Sequence, residues 1–237
     1  MSRIKKLISE HRKQYFTFIL FSLLIILFTI ILYLPNPLIF QKHFGIFNPI
    51  ILIIFIFVFG ITALTYFISR GWFAIYERKN LRGMFTNSIL ATILVFNVIL
   101  IDIFFTYSED INVLLPQSML FYPTIGYVVE ILFHILPLSL LLIILTSLLK
   151  NIKQEKIIWF SIFVVSLIEP IFQLAYGTPT NFPVWIKIYF ALHLYLFNFL
   201  QLSILKRYDF ISMYSFRLVY YLFWHILWGY LRLSILF

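Results

Sequence analysis

The chain contains no cysteine. Disulfide bridges, thiolate metal sites and a cysteine nucleophile are therefore excluded. It is also poor in charge. Asp, Glu, Lys and Arg together make up 11% of its 237 residues, and only 9 of these side chains are acidic. A soluble domain carries about 25% charged residues, so this chain could not cover a folded surface with polar groups. Polar loops are short, which leaves no room for a soluble domain beside the apolar runs. There is no internal repeat, no low-complexity tail and no HExxH zinc-protease pattern.

What remains is overwhelmingly apolar. Apolar residues make up 62% of the chain, including 29 Phe and 15 Tyr, and the mean hydropathy is +1.00. A hydrocarbon core about 30 Å thick takes about 20 helical residues to cross. Seven runs meet that length: Tyr15–Leu34, Pro49–Ser69, Met84–Tyr107, Tyr122–Leu149, Ile157–Tyr176, Pro183–Leu205 and Phe210–Leu231. The first follows a basic start but is too long for a signal-peptide core and ends in Leu34-Pro35-Asn36-Pro37, without a small-residue cleavage site. It reads as a retained helix. The expected fold is an all-α, polytopic membrane bundle of about seven transmembrane helices, with residues 1–237 forming one integral membrane domain.

The cations sort between alternate connections. Arg3, Lys5, Lys6, Arg12 and Lys13 precede the first run. Arg70, Arg78, Lys79 and Arg82 follow the second, Lys150, Lys153 and Lys156 the fourth, and Lys206 and Arg207 the sixth. The other side holds Lys42, Lys187 and Arg232, beside the acidic loop at Glu109 and Asp110. The positive-inside rule puts the N-terminus in the cytoplasm and the C-terminus outside. The same rule accounts for the net charge of +9, so nucleic acid is not an expected partner. Helical spans, rather than ten-residue alternating strands, point to a cytoplasmic membrane.

Against this background a few residues do not belong in lipid, and an intramembrane titratable group is a functional-site hypothesis. Glu169, His193 and His225 lie in the fifth, sixth and seventh runs. At about 1.5 Å rise per residue, Glu169 and His193 fall roughly 18 Å from the cytoplasmic ends of their runs, and His225 roughly 20 Å. Glu130 and His134, four residues apart on one helix face, are expected to bond to each other. Asp102, near the outer end of its run, reads as solvated, and Arg217 reads as a side chain snorkelling to the interface. Asn97, Asn198, Gln173 and Gln201 read as interhelical hydrogen-bonding residues.

A buried carboxylate with two or three imidazoles suits two chemistries. The carboxylate can take a proton from a water attacking an amide, with imidazoles donating to the oxyanion or leaving group. Alternatively, Glu169, His193 and His225 can hold a divalent metal such as zinc whose bound water is the nucleophile. A different class of reading is a transporter or transporter subunit, with Glu and His forming an intramembrane proton relay. The seventh run holds no lysine, which excludes a retinal Schiff base.

The order and context of these residues resemble a known family. Ile168-Glu169-Pro170-Ile171-Phe172-Gln173 resembles the Glu-Glu-x-x-x-Arg motif of the CPBP intramembrane proteases, the CAAX-prenyl-protease and bacteriocin-processing family. Tyr189-Phe190-Ala191-Leu192-His193 is similar to its Phe-x-x-x-His motif, and His225-Ile226-Leu227-Trp228-Gly229 to its His-x-x-x-Asn motif. Ile168, Gln173 and Gly229 stand where the family has Glu, Arg and Asn. The resemblance covers residues 157–232. It implies hydrolysis of a peptide bond in a membrane-associated protein or peptide, with Glu169 as base and His193 and His225 as partners, or a homologue that keeps the bundle without proteolysis.

Overall fold

The computed structural model describes residues 3–106, 112–176 and 182–237, and their side chains except those of residues 3, 4 and 42. The acidic loop at Glu109 and Asp110, the Gly177-Thr178-Pro179 stop and the Lys42 side chain fall outside the described set. Among the described residues there is no strand. The helices are α1 (Arg3–Glu10), α2 (Arg12–Tyr33), α3 (Leu38–Phe44), α4 (Pro49–Arg70), α5 (Leu81–Phe104), α6 (Ser118–Val129), α7 (Leu136–Leu148), α8 (Gln154–Val165), α9 (Ile168–Tyr176), α10 (Val184–Arg207), α11 (Phe210–Tyr221) and α12 (Gly229–Leu236).

Six helical stretches are long and apolar enough to cross a membrane: Arg12–Tyr33, Pro49–Arg70, Arg78–Phe104, Ser118–Leu148, Gln154–Tyr176 and Val184–Arg207. They correspond to the first six runs. The seventh run is helical throughout 210–236, as α11, a π-helical segment Leu222–Trp228 and α12. It carries Arg217, His225 and Arg232.

Local chemistry explains where the helices start, stop and bend. Asn48 caps α4 by accepting from the Ile50 and Ile51 amides at 2.9 and 3.3 Å, with Pro49 in the first turn. Gly71 ends the same helix at φ +66°, a left-handed conformation that glycine adopts without penalty. Pro170 has no N–H to give the Ser166 carbonyl, and the fifth run breaks there, between α8 and α9. The break puts Glu169 in the first turn of α9. Pro137 likewise leaves the Phe133 carbonyl without its usual partner, and a π-helical segment, Glu130–Ile135, joins α6 to α7.

Lipid tails are as apolar as leucine, so close packing rather than water exclusion holds such helices together. Gly60 lets α4 approach its neighbours; a Cβ there would sit 2.9 Å from both Ile131 and Phe18. Phe18, Phe21, Tyr127, Phe210 and Tyr214 interlock between α2, α6 and α11. Ser22 and Tyr127 share a 2.8 Å hydrogen bond inside this packing.

The basic connection after α4 is pinned to the start of α11. The Asp209 carboxylate accepts from the Ser212 and Glu77 amides and the Asn80 side chain at 2.7, 2.9 and 2.7 Å. The Phe210 and Ile211 amides bond to the Ala74 and Ile75 carbonyls at 3.0 and 3.1 Å. α11 is thereby fixed at one end and packed along α5 and α10, which sets the position of Arg217.

Candidate functional site

Arg217, two turns into α11, is 1% exposed. The snorkelling expected of it is not what the structure shows. Its guanidinium is the hub of a buried network, and all five of its N–H groups are used. Nε donates to Glu130 Oε1 at 2.5 Å. Nη2 donates to Glu169 Oε2 at 3.0 Å and to Gln201 Oε1 at 2.8 Å. Nη1 donates to the Tyr221 hydroxyl at 3.0 Å and, at 3.4 Å, to Glu169 Oε1. The planar fork of arginine suits two carboxylates at once, where a lysine ammonium could not span them.

Glu130 and His134 sit in the π-helical segment, a local geometry that recurs at functional sites. As their spacing predicts, they bond to each other: His134 Nδ1 lies 2.9 Å from Glu130 Oε2. The Gln201 amide also donates to Glu130 Oε1, so both Glu130 oxygens are occupied. Glu169 approaches from α9. Its Oε2 lies 3.7 Å from His134 Nε2, beyond hydrogen-bond range, and this ring nitrogen is buried with no hydrogen-bond partner. Asn198, one turn before Gln201 on α10, is likewise fully buried with neither amide atom paired. Glu130, His134, Glu169, Gln201, Arg217 and Tyr221 thus join the fourth, fifth, sixth and seventh runs in one buried centre.

The three residues singled out from the sequence go to different partners. Glu169 enters the centre. His193 Nε2 meets the Tyr220 hydroxyl at 3.2 Å. His225 Nδ1 meets Asn112 Oδ1 at 2.7 Å, and its ring stacks on Tyr122 with 4.4 Å between centroids. Shared depth does not bring the two histidines to Glu169, because the rotation of each helix about its axis decides which neighbour a side chain meets. The imidazole that reaches Glu169 is His134. Among the described residues no three His, Asp or Glu side chains are grouped to hold a metal ion.

No known protein family, curated protein or solved structure matches this chain. The chemistry must therefore be read from these side chains themselves.

Two other expectations change. Asp102 is fully buried rather than solvated. It accepts from Arg232 Nε and Nη2 at 2.8 and 2.9 Å and from Trp228 Nε1 at 2.7 Å, tying α5 to the seventh run. Asn97 donates to the Ile93 carbonyl of its own helix at 3.0 Å and makes its bond within α5. The signal for both arginines was charge pairing. Two carboxylates at mid-depth require a cation within reach, and Arg217 lies in a neighbouring run. Asp102 and Arg232 stand at the same outer end of theirs.

Proposed function

We propose that this multi-pass membrane protein is a membrane-embedded hydrolase of the kind the CPBP resemblance implies, with its centre at Glu169 and His134. The observation that carries the reading is the 3.7 Å approach of Glu169 Oε2 to the unpaired His134 Nε2. A carboxylate and an imidazole too far apart to bond directly can both bond to one water. Glu169 would accept a proton from that water as it attacks a carbonyl carbon and pass the same proton to the leaving amine as the C–N bond breaks, while His134 Nε2 would hold the water in place by accepting its other hydrogen. Arg217 would orient the Glu169 carboxylate, and Glu130 would fix the His134 ring through Nδ1. In this scheme His193 and His225 are peripheral, and a peptide bond of a membrane-associated protein is the substrate. The loop charges and the helical stretch 210–236 support seven spans with a cytoplasmic N-terminus.

The test is a comparison of membrane-protein N-termini in cells making the wild-type chain, Glu169→Gln or His134→Ala. The reading expects a set of new N-termini that both variants lose. Identical N-termini in all three would refute it.

One observation favours a second reading, a proton relay serving transport. Two carboxylates and one guanidinium leave the buried centre with one net negative charge, and an unbalanced charge in hydrocarbon is costly. A proton taken up by the centre would balance that charge, which is what a relay requires. Proton flux into vesicles that is lost in Glu169→Gln, with no proteolysis, would select this reading.

A further inference from the structure

A second polar site lies at the membrane interface, away from the buried centre. A cavity of about 450 Å³ opens where the C-terminal ends of α4 and α7 meet the start of α8. Tyr66, Arg70, Trp72, Thr146, Lys150 and Gln154 are among the residues that line it. These are ends of three spans on the face whose connections carry most of the Lys and Arg.

The two cations are held without anionic partners. The Arg70 guanidinium lies 5.5 Å from the Tyr66 ring centroid and 5.9 Å from that of Trp72, and these two rings meet edge to face at 5.4 Å. The aromatic pair fixes the guanidinium from one side. Neither Arg70 nor Lys150 makes an ion pair among the described residues. The acid nearest Lys150 in sequence, Glu155, is taken by Lys206 at 3.3 Å and by Trp159 Nε1 at 2.9 Å. Gln154 is exposed at the cavity with no side-chain bond of its own. Two unpaired cations, an amide and an aromatic wall at headgroup depth match a phosphate group carried by an apolar tail.

We infer that this cavity binds the phosphate headgroup of an anionic membrane lipid, with Arg70 and Lys150 contacting the phosphate and Tyr66 and Trp72 holding Arg70 in place. Basic pockets between spans are where such headgroups are recognised. The lipid would bridge α4, α7 and α8, whose contacts are otherwise side-chain packing. Each cation near an anionic headgroup contributes about 1 kcal/mol, or about fivefold in affinity, so both together give about 25-fold.

The full-length chain in detergent is titrated with phosphatidylglycerol, with phosphatidylcholine and with inorganic phosphate, and bound adducts are measured by native mass spectrometry. Wild type is expected to retain phosphatidylglycerol in preference to phosphatidylcholine. Arg70→Ala/Lys150→Ala lowers that retention about 25-fold, and the exposed Lys150→Ala alone lowers it about fivefold, which keeps the test open should the double variant misfold. The control pair Arg12→Ala/Lys13→Ala, on the same basic face but away from the cavity, leaves it unchanged. Equal loss in the control pair overturns the inference, because the attraction is then diffuse. So does equal retention of the two lipids. Retention of inorganic phosphate without preference for phosphatidylglycerol assigns the cavity to a free anion and overturns the lipid assignment.

Discussion

Replacing Arg217 by Met tests the buried network at its hub. Methionine keeps much of the length and removes every donor. The wild-type guanidinium makes five N–H contacts, to Glu130, Glu169, Gln201 and Tyr221. The contact to Tyr221 lies within α11; the other four cross between helices, and at the membrane average of about 0.6 kcal/mol per interhelical hydrogen bond they sum to about 2.4 kcal/mol. The substitution also strands two carboxylates that are at most 6% exposed, and breaking a buried pair on one side costs about 3–5 kcal/mol. The two figures overlap in what they count, so the expected loss is about 3–5 kcal/mol rather than their sum. At about 2–4 °C per kcal/mol for a chain of this size, the unfolding midpoint in detergent falls by about 6–20 °C. Arg217→Lys should fall between, because an ammonium holds one carboxylate well and not both. Adding Glu130→Gln to Arg217→Met should recover part of the loss by removing one stranded charge. A midpoint within about 2 °C of wild type for Arg217→Met would mean that the network contributes little, and the reasoning would fail.

Three further outcomes follow from the same structure. Asp102→Asn weakens the clamp on Arg232 and should cost about 3 kcal/mol, at the low end for a broken buried pair because Arg232 lies near a span end; thermal unfolding reads it. Asp209→Ala removes a helix cap worth about 1 kcal/mol and leaves the Glu77 amide and the Asn80 side chain unpaired. Limited trypsin digestion should then cut faster at Arg78 and Lys79, and unchanged cleavage would contradict the clamp. Gly60→Ala forces a Cβ to within 2.9 Å of Ile131 and Phe18; the overpacking should cost about 1–3 kcal/mol, visible as a lowered midpoint.

The helices were legible because a bilayer demands long apolar runs, and the six stretches that meet that demand match the first six runs. The Glu130–His134 bond was legible because four residues is one turn. Pro170 accounts for the break before Glu169. What sequence periodicity does not carry is the rotation of each helix about its own axis. His193 and His225 share a depth with Glu169 and still face Tyr220 and Asn112. Arg217 was misjudged because its distance from a span end permitted snorkelling, while its two carboxylate partners lie 48 and 87 residues away in sequence. Counting charges rather than depths would have found it. The same count pairs Asp102 with Arg232.

The proposed chemistry rests on water attack promoted by Glu169. Membrane vesicles bearing the wild-type chain or Glu169→Gln are incubated in ¹⁸O-labelled water, and mass spectrometry maps peptides whose newly formed C-terminal carboxyl has gained ¹⁸O. Hydrolysis at this centre predicts labelled C-termini in the wild type that are absent from Glu169→Gln. The same labelled termini in both, or none in either, would contradict it.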